Sequence, residues 1–197
     1  ITGLYAHQNG LTRNVGHWPL GMPTMPKTLQ QAGYHTAAIG KLHVFEAVPE
    51  NLDLTTVADR VKSLGFDDLH ECSGKALAWE CDCEWTHHLQ NRGLLEQYRA
   101  GRRPGNTAAP FELPTEEYMD IYIADRAVEW IDAYEDDKPF FLWAGLVSPH
   151  PPFDAPEEYL KNQPLDKQVP PVDNDNPDAW RQRRAHGRIC ILWRLIM

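Results

Sequence analysis

Gly33-Tyr34-His35-Thr36-Ala37-Ala38-Ile39-Gly40-Lys41-Leu42-His43 is an apolar run between two glycines that ends in a lysine and a histidine two residues apart. Tyr34, Thr36 and Ile39 suit a pleated, half-buried surface, so the run reads as a strand. Side chains alternate along extended chain, and if the strand continues past Gly40, Lys41 and His43 project to the same side. An ammonium beside an imidazole joins a fixed positive charge to a group that donates or accepts a proton. A site handling a phosphate or sulfate ester needs that combination. Taken alone, K-x-H is more simply a solvated lysine and a histidine capping a strand end, because charged side chains are mostly exposed.

The flanking residues place this strand in an α/β layer. Thr24 is positioned to cap a short helix through Ala32, with Leu29 on its inner face and Gly33 just past its end, where glycine adopts a left-handed conformation at least cost. A helix feeding straight into a strand implies a mostly parallel sheet flanked by helices. Upstream, Ile1 to Gly10 starts within an element and runs into a loop, with Pro19, Pro23 and Pro26 following. Downstream, residues 54–64 carry Val57, Val61 and Leu64 at helical spacing with Gly65 as a stop, and Phe66 to Leu69 begins a further strand. Residues 71–114 change character and read as a variable insertion over one face of the sheet. They hold Trp79, Trp85, Cys81-Asp82-Cys83 and Arg102-Arg103 with weak periodicity. The two tryptophans suit either packing or stacking on sugar rings, packing being the commoner use.

The clearest helix runs from Glu116 to Tyr134. Thr115 is its expected N-cap, two glutamates fall at the positive end of its dipole, and Met119, Ile123, Ala127, Trp130, Ile131 and Tyr134 form one stripe. Phe140 to Val147 is nearly continuous in apolar residues, the pattern of a strand buried on both faces. It ends in Ser148-Pro149-His150-Pro151-Pro152-Phe153, where Pro151 drives His150 toward extended angles. In open α/β sheets ligands bind outside the carboxyl ends of the strands, which is where His150 falls. A short helix follows near Pro156 to Lys161, then a proline-rich loop.

The net charge of −9 opposes a nucleic-acid-binding surface, which is normally basic. Residues 181–197 hold five arginines and no acid, so residues 1–180 carry 14 basic and 28 acidic side chains, or −14. An anion site on such a body has to be a local cluster of Lys, His and backbone donors. No apolar stretch reaches the length of a membrane span. His70, Cys72, Cys81, Cys83, His87 and His88 have the atoms of a metal site but not the C-x-x-C spacing of common zinc sites. Structural thiols, free or paired, are the simpler reading.

The chain resembles the sulfatase family of the alkaline-phosphatase-like superfamily in three segments. Gly33 to His43 resembles the signature in which an aromatic glycine turn leads to G-K-x-H. Thr2 to Gly10, T-G-L-Y-A-H-Q-N-G, resembles the segment after the family's nucleophile motif. Lys138 to Phe153, K-P-F-F-L-W-A-G-L-V-S-P-H-P-P-F, resembles the strand presenting a substrate-binding histidine. The order agrees, and the likeness runs from Thr2 to about Tyr159. The resemblance implies an alkaline-phosphatase-like fold, with residues 1–180 a partial sulfatase catalytic domain. It also implies that Lys41 binds sulfate oxygens, that His43 bonds and assists the nucleophile, and that His150 contacts the sulfate and the leaving oxygen. A sulfated small molecule or carbohydrate is the implied partner, and calcium and a formylglycine made from Cys or Ser are the implied cofactors.

The sequence departs from the family at several points. It contains no C/S-x-P-x-R motif. The acidic metal ligands are expected before Ile1 and beyond Met197, so no metal ligand is assigned in this chain. Residues 181–197 depart from the family's continuation and read as truncation or an altered frame. The expectation is therefore an internal fragment, incomplete at both ends and inactive by itself, of a sulfuric ester hydrolase acting on a sulfated carbohydrate or aryl sulfate. A phosphodiesterase or phosphonate hydrolase of the same superfamily, and a non-catalytic sulfatase-like binding domain, are the alternatives.

Overall fold

The computed structural model describes residues 1–11, 19, 21–44, 52–102 and 109–162. The arginine-rich tail at 181–197, with Cys190, lies outside the described residues. The elements in order are α1 (Ala6–Asn9), α2 (Met25–Gln31), β1 (His35–Gly40), α3 (Ala58–Lys62), β2 (Asp68–Glu71), α4 (Glu84–Asn91), α5 (Leu95–Ala100), α6 (Met119–Asp132), β3 (Phe140–Gly145) and α7 (Glu157–Leu160). The strands form one parallel sheet in the order β2-β1-β3.

Alternation along β1 builds two apolar layers. Ile39 faces a core made with Met119, Ile123 and Ala127 of α6 and with Trp85, Leu89, Leu95 and Tyr98 of α4 and α5. Ala38 faces the opposite layer, with Val61, Leu64 and Phe66 around α3. The sheet is thus covered on both sides, as parallel sheets require. Residues 77–98 supply much of the first core, so the segment of weak periodicity includes packed helices.

α2 forms as its sequence specifies: Thr24 accepts the Lys27 N–H at 3.2 Å, and Gly33 takes φ +93° beyond the helix end. Three expectations need correction. The helix expected over Glu116–Tyr134 is broken at Tyr118, whose angles are extended, and a 3-10 turn occupies Thr115–Glu117. The cause is tertiary. Glu117, 1% exposed, is bonded by His88 at 2.6 Å and Arg92 at 2.6 Å, which withdraws it from a solvated first turn. Residues 54–64 likewise divide into a 3-10 turn over Leu54–Val57, capped by Asp53, and α3. β3 contacts apolar layers on both faces through Leu142, Phe141 and Trp143, yet among the described residues it is an edge strand and stays half-exposed.

β1 also does not run on past Gly40. Gly40 has φ +98°, and a Cβ built there would lie 2.4 Å from the Gly145 carbonyl oxygen and 2.8 Å from Ile123. Only glycine fits this turn. We predict that Gly40→Ala destabilises the protein by about 3 kcal/mol or more, because backbone atoms of β3 would have to move. Gly93→Ala, which meets nothing within 4 Å at φ +72°, should cost only the backbone penalty of about 1 kcal/mol. Urea unfolding of the two variants checks the difference.

Candidate functional site

The register sets the site. Gly40 pairs with Glu71 on one side and Gly145 on the other, so the three strands end level. The segments that follow them, Lys41–Val44, Cys72–Lys75 and Leu146–Asp154, therefore emerge at one edge of the sheet.

Lys41 leaves β1 with its N–H bonded to the Gly145 carbonyl at 2.8 Å. Its side chain then crosses Gly74: a Cβ on that glycine would lie 3.0 Å from Nζ and 3.3 Å from Cδ and Cε. Gly74 has φ +102° and packs the lysine stem directly on backbone. Burial holds the Lys41 ammonium below its ordinary range. His43 is exposed and sits at φ 57°, so Lys41 and His43 are not two members of one extended strand.

His43 is nevertheless within electrostatic reach of both other candidates. Its imidazole is pushed below 6.5 by partial burial first, then by the positive charges of Lys41 and of His150 when protonated. His150 stands in the loop after β3, where its N–H bonds the Val147 carbonyl at 3.0 Å and Nδ1 lies 2.8 Å from the Pro151 carbonyl. A carbonyl only accepts, so Nδ1 carries the proton and Nε2 is left to face a ligand. The three residues singled out in the sequence thus gather at one edge, as two exposed imidazoles and a half-buried ammonium. Such a group stabilises charge on an anion and exchanges protons with it.

The loop carrying His150 is pinned by residues the sequence reading did not single out. Asp120, in the first turn of α6, accepts the Val147 N–H at 2.5 Å and the Ser148 N–H at 3.1 Å. Lys75 pairs with Asp154 at 2.5 Å and with Tyr118 Oη at 2.7 Å. Tyr118 and Lys75 lie 43 residues apart in sequence, so no local pattern signals them.

Behind the site, Cys72, Cys81 and Cys83 are free and buried. Cys83 begins α4, its N–H bonding Thr86 Oγ1 at 2.7 Å. The Cys72 thiol bonds its sulfur, and that bond with nearby N–H groups draws Cys83 down to about 6. His87 pairs instead with Asp53 at 3.1 Å and His88 with Glu117 at 2.6 Å. Trp85 is buried and donates to the Glu117 carbonyl, while Trp79 packs on Tyr98. Among the described residues no three His, Cys, Asp or Glu side chains gather as a metal would require. The described residues therefore form no ligand set that calcium would fit.

Three comparisons bear on this arrangement. A family model described as Sulfatase matches residues 1–186. The chain is 45% identical over 152 residues to an N-acetylglucosamine-6-O-sulfatase of Bacteroides thetaiotaomicron, covering 76% of this chain and 21% of that protein. It is 36% identical over 196 residues to the multifunctional alkaline phosphatase superfamily protein PehA of Trinickia caryophylli, covering 91% of this chain and 36% of that protein. In fold it matches the phosphonate monoester hydrolase of Agrobacterium radiobacter with a TM-score of 0.60 at 19% identity, over 90% of this chain and 36% of that one. The chain therefore spans about a third or less of the length of these relatives.

Two titrations check the electrostatics. In Lys41→Met the lysine's repulsion is gone, so the His43 pKa should rise; histidine ring NMR against pH reads it, and a fall or no change contradicts the geometry. Glu71 is buried with Oε2 unpartnered, and burial with the Cys83 sulfur raises its carboxyl from 4.5 to about 7. The folded state then holds a proton that the unfolded chain releases, so stability is lost as pH rises from 4.5 toward 7. Between pH 4.5 and 5.5, below the midpoint near 6 at which Cys83 ionises, wild type should lose roughly 1 kcal/mol more than Glu71→Gln in denaturant melts.

Proposed function

The chain belongs to the sulfatase family, and on that premise we propose that it forms part of the catalytic domain of a sulfuric ester hydrolase cleaving sulfate monoesters. The observation that carries this is the gathering of Lys41, His43 and His150 where three parallel strands end level. Cleavage of the S–O bond builds negative charge on the leaving oxygen. Lys41 holds the sulfate oxygens with a fixed positive charge. His150 turns Nε2 toward the leaving oxygen, since Nδ1 is engaged by Pro151, and protonated it donates there. His43, held in its neutral form near pH 7 by its surroundings, accepts a proton from the nucleophile.

A formylglycine, as the family's nucleophile, would supply a geminal hydroxyl that attacks sulfur. The sequence contains no C/S-x-P-x-R motif, so in this proposal the nucleophile, like the calcium ligands, comes from outside these 197 residues. A sulfated carbohydrate is the substrate class best supported, through the 45% identical N-acetylglucosamine-6-O-sulfatase. Hydrolysis of phosphonate or phosphate esters is the second reading, favoured by the likeness to PehA and by the fold match to a phosphonate monoester hydrolase.

In the full-length protein, Lys41→Ala and His150→Ala should each lower kcat on a sulfate monoester by about 100-fold or more while shifting Tm by less than about 3 °C. Turnover near the wild-type level in both would remove the site assignment. Parallel rates with phenyl phosphonate monoester decide between the two ester classes.

A further inference from the structure

Lys75 is a lysine whose side chain is 2% exposed. Its Nζ lies 2.5 Å from Asp154 Oδ1, 2.7 Å from Tyr118 Oη and 3.4 Å from Ser148 Oγ. An ammonium has three protons, and three oxygens meet it here, so none is left for a ligand. Burial pulls its charged form down, but the bonds from Asp154 and Tyr118 outweigh this and the ammonium is favoured overall. Lys75 is charged, buried and fully engaged.

Its partners are placed tellingly. Ser148 begins, and Asp154 ends, the loop that presents His150, so one ammonium ties both ends of that loop. Tyr118 Oη also lies 2.8 Å from Ser148 Oγ and 3.4 Å from Asp154 Oδ1, closing the ring of contacts. On the other flank Gly74, the residue before Lys75, carries the Lys41 stem. The Gly74–Lys75 pair thus touches both halves of the cation group, one through packing and one through charge.

Stability does not account for this pair, since burying two charges costs about what their attraction returns, and apolar replacements are often neutral or better. What a buried, charge-assisted bond network does provide is fixed direction and distance. We propose that Lys75 is a positioning residue for His150: by holding Ser148 and Asp154 at a set separation it fixes the imidazole relative to Lys41. What His150 then meets rests on the sulfatase reading, while the positional claim rests on the geometry alone.

The test uses the full-length protein. In Lys75→Met, kcat on 4-nitrophenyl sulfate should fall about 10-fold or more with KM changed less than about threefold, as expected when a reacting group is misplaced. Because this variant leaves Asp154 unpaired and can unfold, Lys75→Met/Asp154→Leu is measured beside it. The double variant should melt within about 3 °C of wild type and still show the loss in kcat. Recovery of kcat along with Tm would make Lys75 merely structural, and single-variant turnover within twofold of wild type also overturns the proposal. Histidine-selective NMR gives a second reading free of activity. The His150 ring signal should shift in both variants while that of His35, bonded to Asp68 at 2.7 Å at the other end of β1, stays; an unmoved His150 signal overturns the proposal. If wild type does not turn over the ester, the sulfatase reading fails, and the ring signals alone decide the positional claim.

Discussion

The contact between the backbones of Gly40 and Gly145 is the constraint on which the site depends. The Lys41 N–H reaches the Gly145 carbonyl at 2.8 Å, and neither glycine has room for a Cβ. Register in a parallel sheet is otherwise held by side-chain burial, and a slip of one residue would turn every side chain to the other face. Here the end of the ladder is fixed by a steric fit that no other residue meets. Because β2 pairs with the same glycine through Glu71, that fit also levels the third strand. The relative heights of Lys41, Gly74 and the His150 loop all follow from it.

The charges at this edge divide into those that face outward and those that are cancelled. The chain is acidic overall, at −9, so long-range attraction brings no anion to it. Lys41 has no carboxylate within bonding distance among the described residues, and its partial burial leaves its field poorly screened. Lys75, a few residues along the neighbouring segment, has its field neutralised by Asp154. Two lysines on neighbouring segments thus have opposite electrostatic consequences. One presents charge to the edge of the sheet, and the other is spent on internal bonds.

What could be read from the sequence was what local chemistry decides. Thr24 caps α2, Gly33 follows its end, and the run to Gly40 forms a strand, because each rests on the residue itself and its neighbours. His150 was legible because prolines flank it at the end of an apolar run. The features that were missed depend on distant partners. Glu117 looked like a first-turn glutamate until His88 and Arg92, from another helix and its end, drew it inward. Lys75 in Ser73-Gly74-Lys75 carries no local signal of its role, because its ionic partner Asp154 lies 79 residues away. Strand alternation does not govern Lys41 and His43, because Gly40 turns the chain and His43 sits at φ 57°.

The stretch from Glu71 to Arg102 shows why weak periodicity is a poor guide to importance. A helix or strand whose one face is buried repeats at 3.6 or 2, whereas this stretch is buried piecemeal: Cys72 to Lys75 after the end of β2, Trp85, Leu89 and Leu95 in the core shared with α6, and Tyr98 against Lys75 and Trp85. Tyr98 makes the connection explicit, since its hydroxyl donates to the Lys75 carbonyl at 2.6 Å while its ring packs edge-on to Trp85 at 4.7 Å. The backbone that carries the buried ammonium is thereby fastened to the main core. Change in the packing of α4 and α5 is felt at Lys75 and, through Ser148 and Asp154, at the histidine loop, so the core around these helices and the geometry of the cation group cannot vary independently.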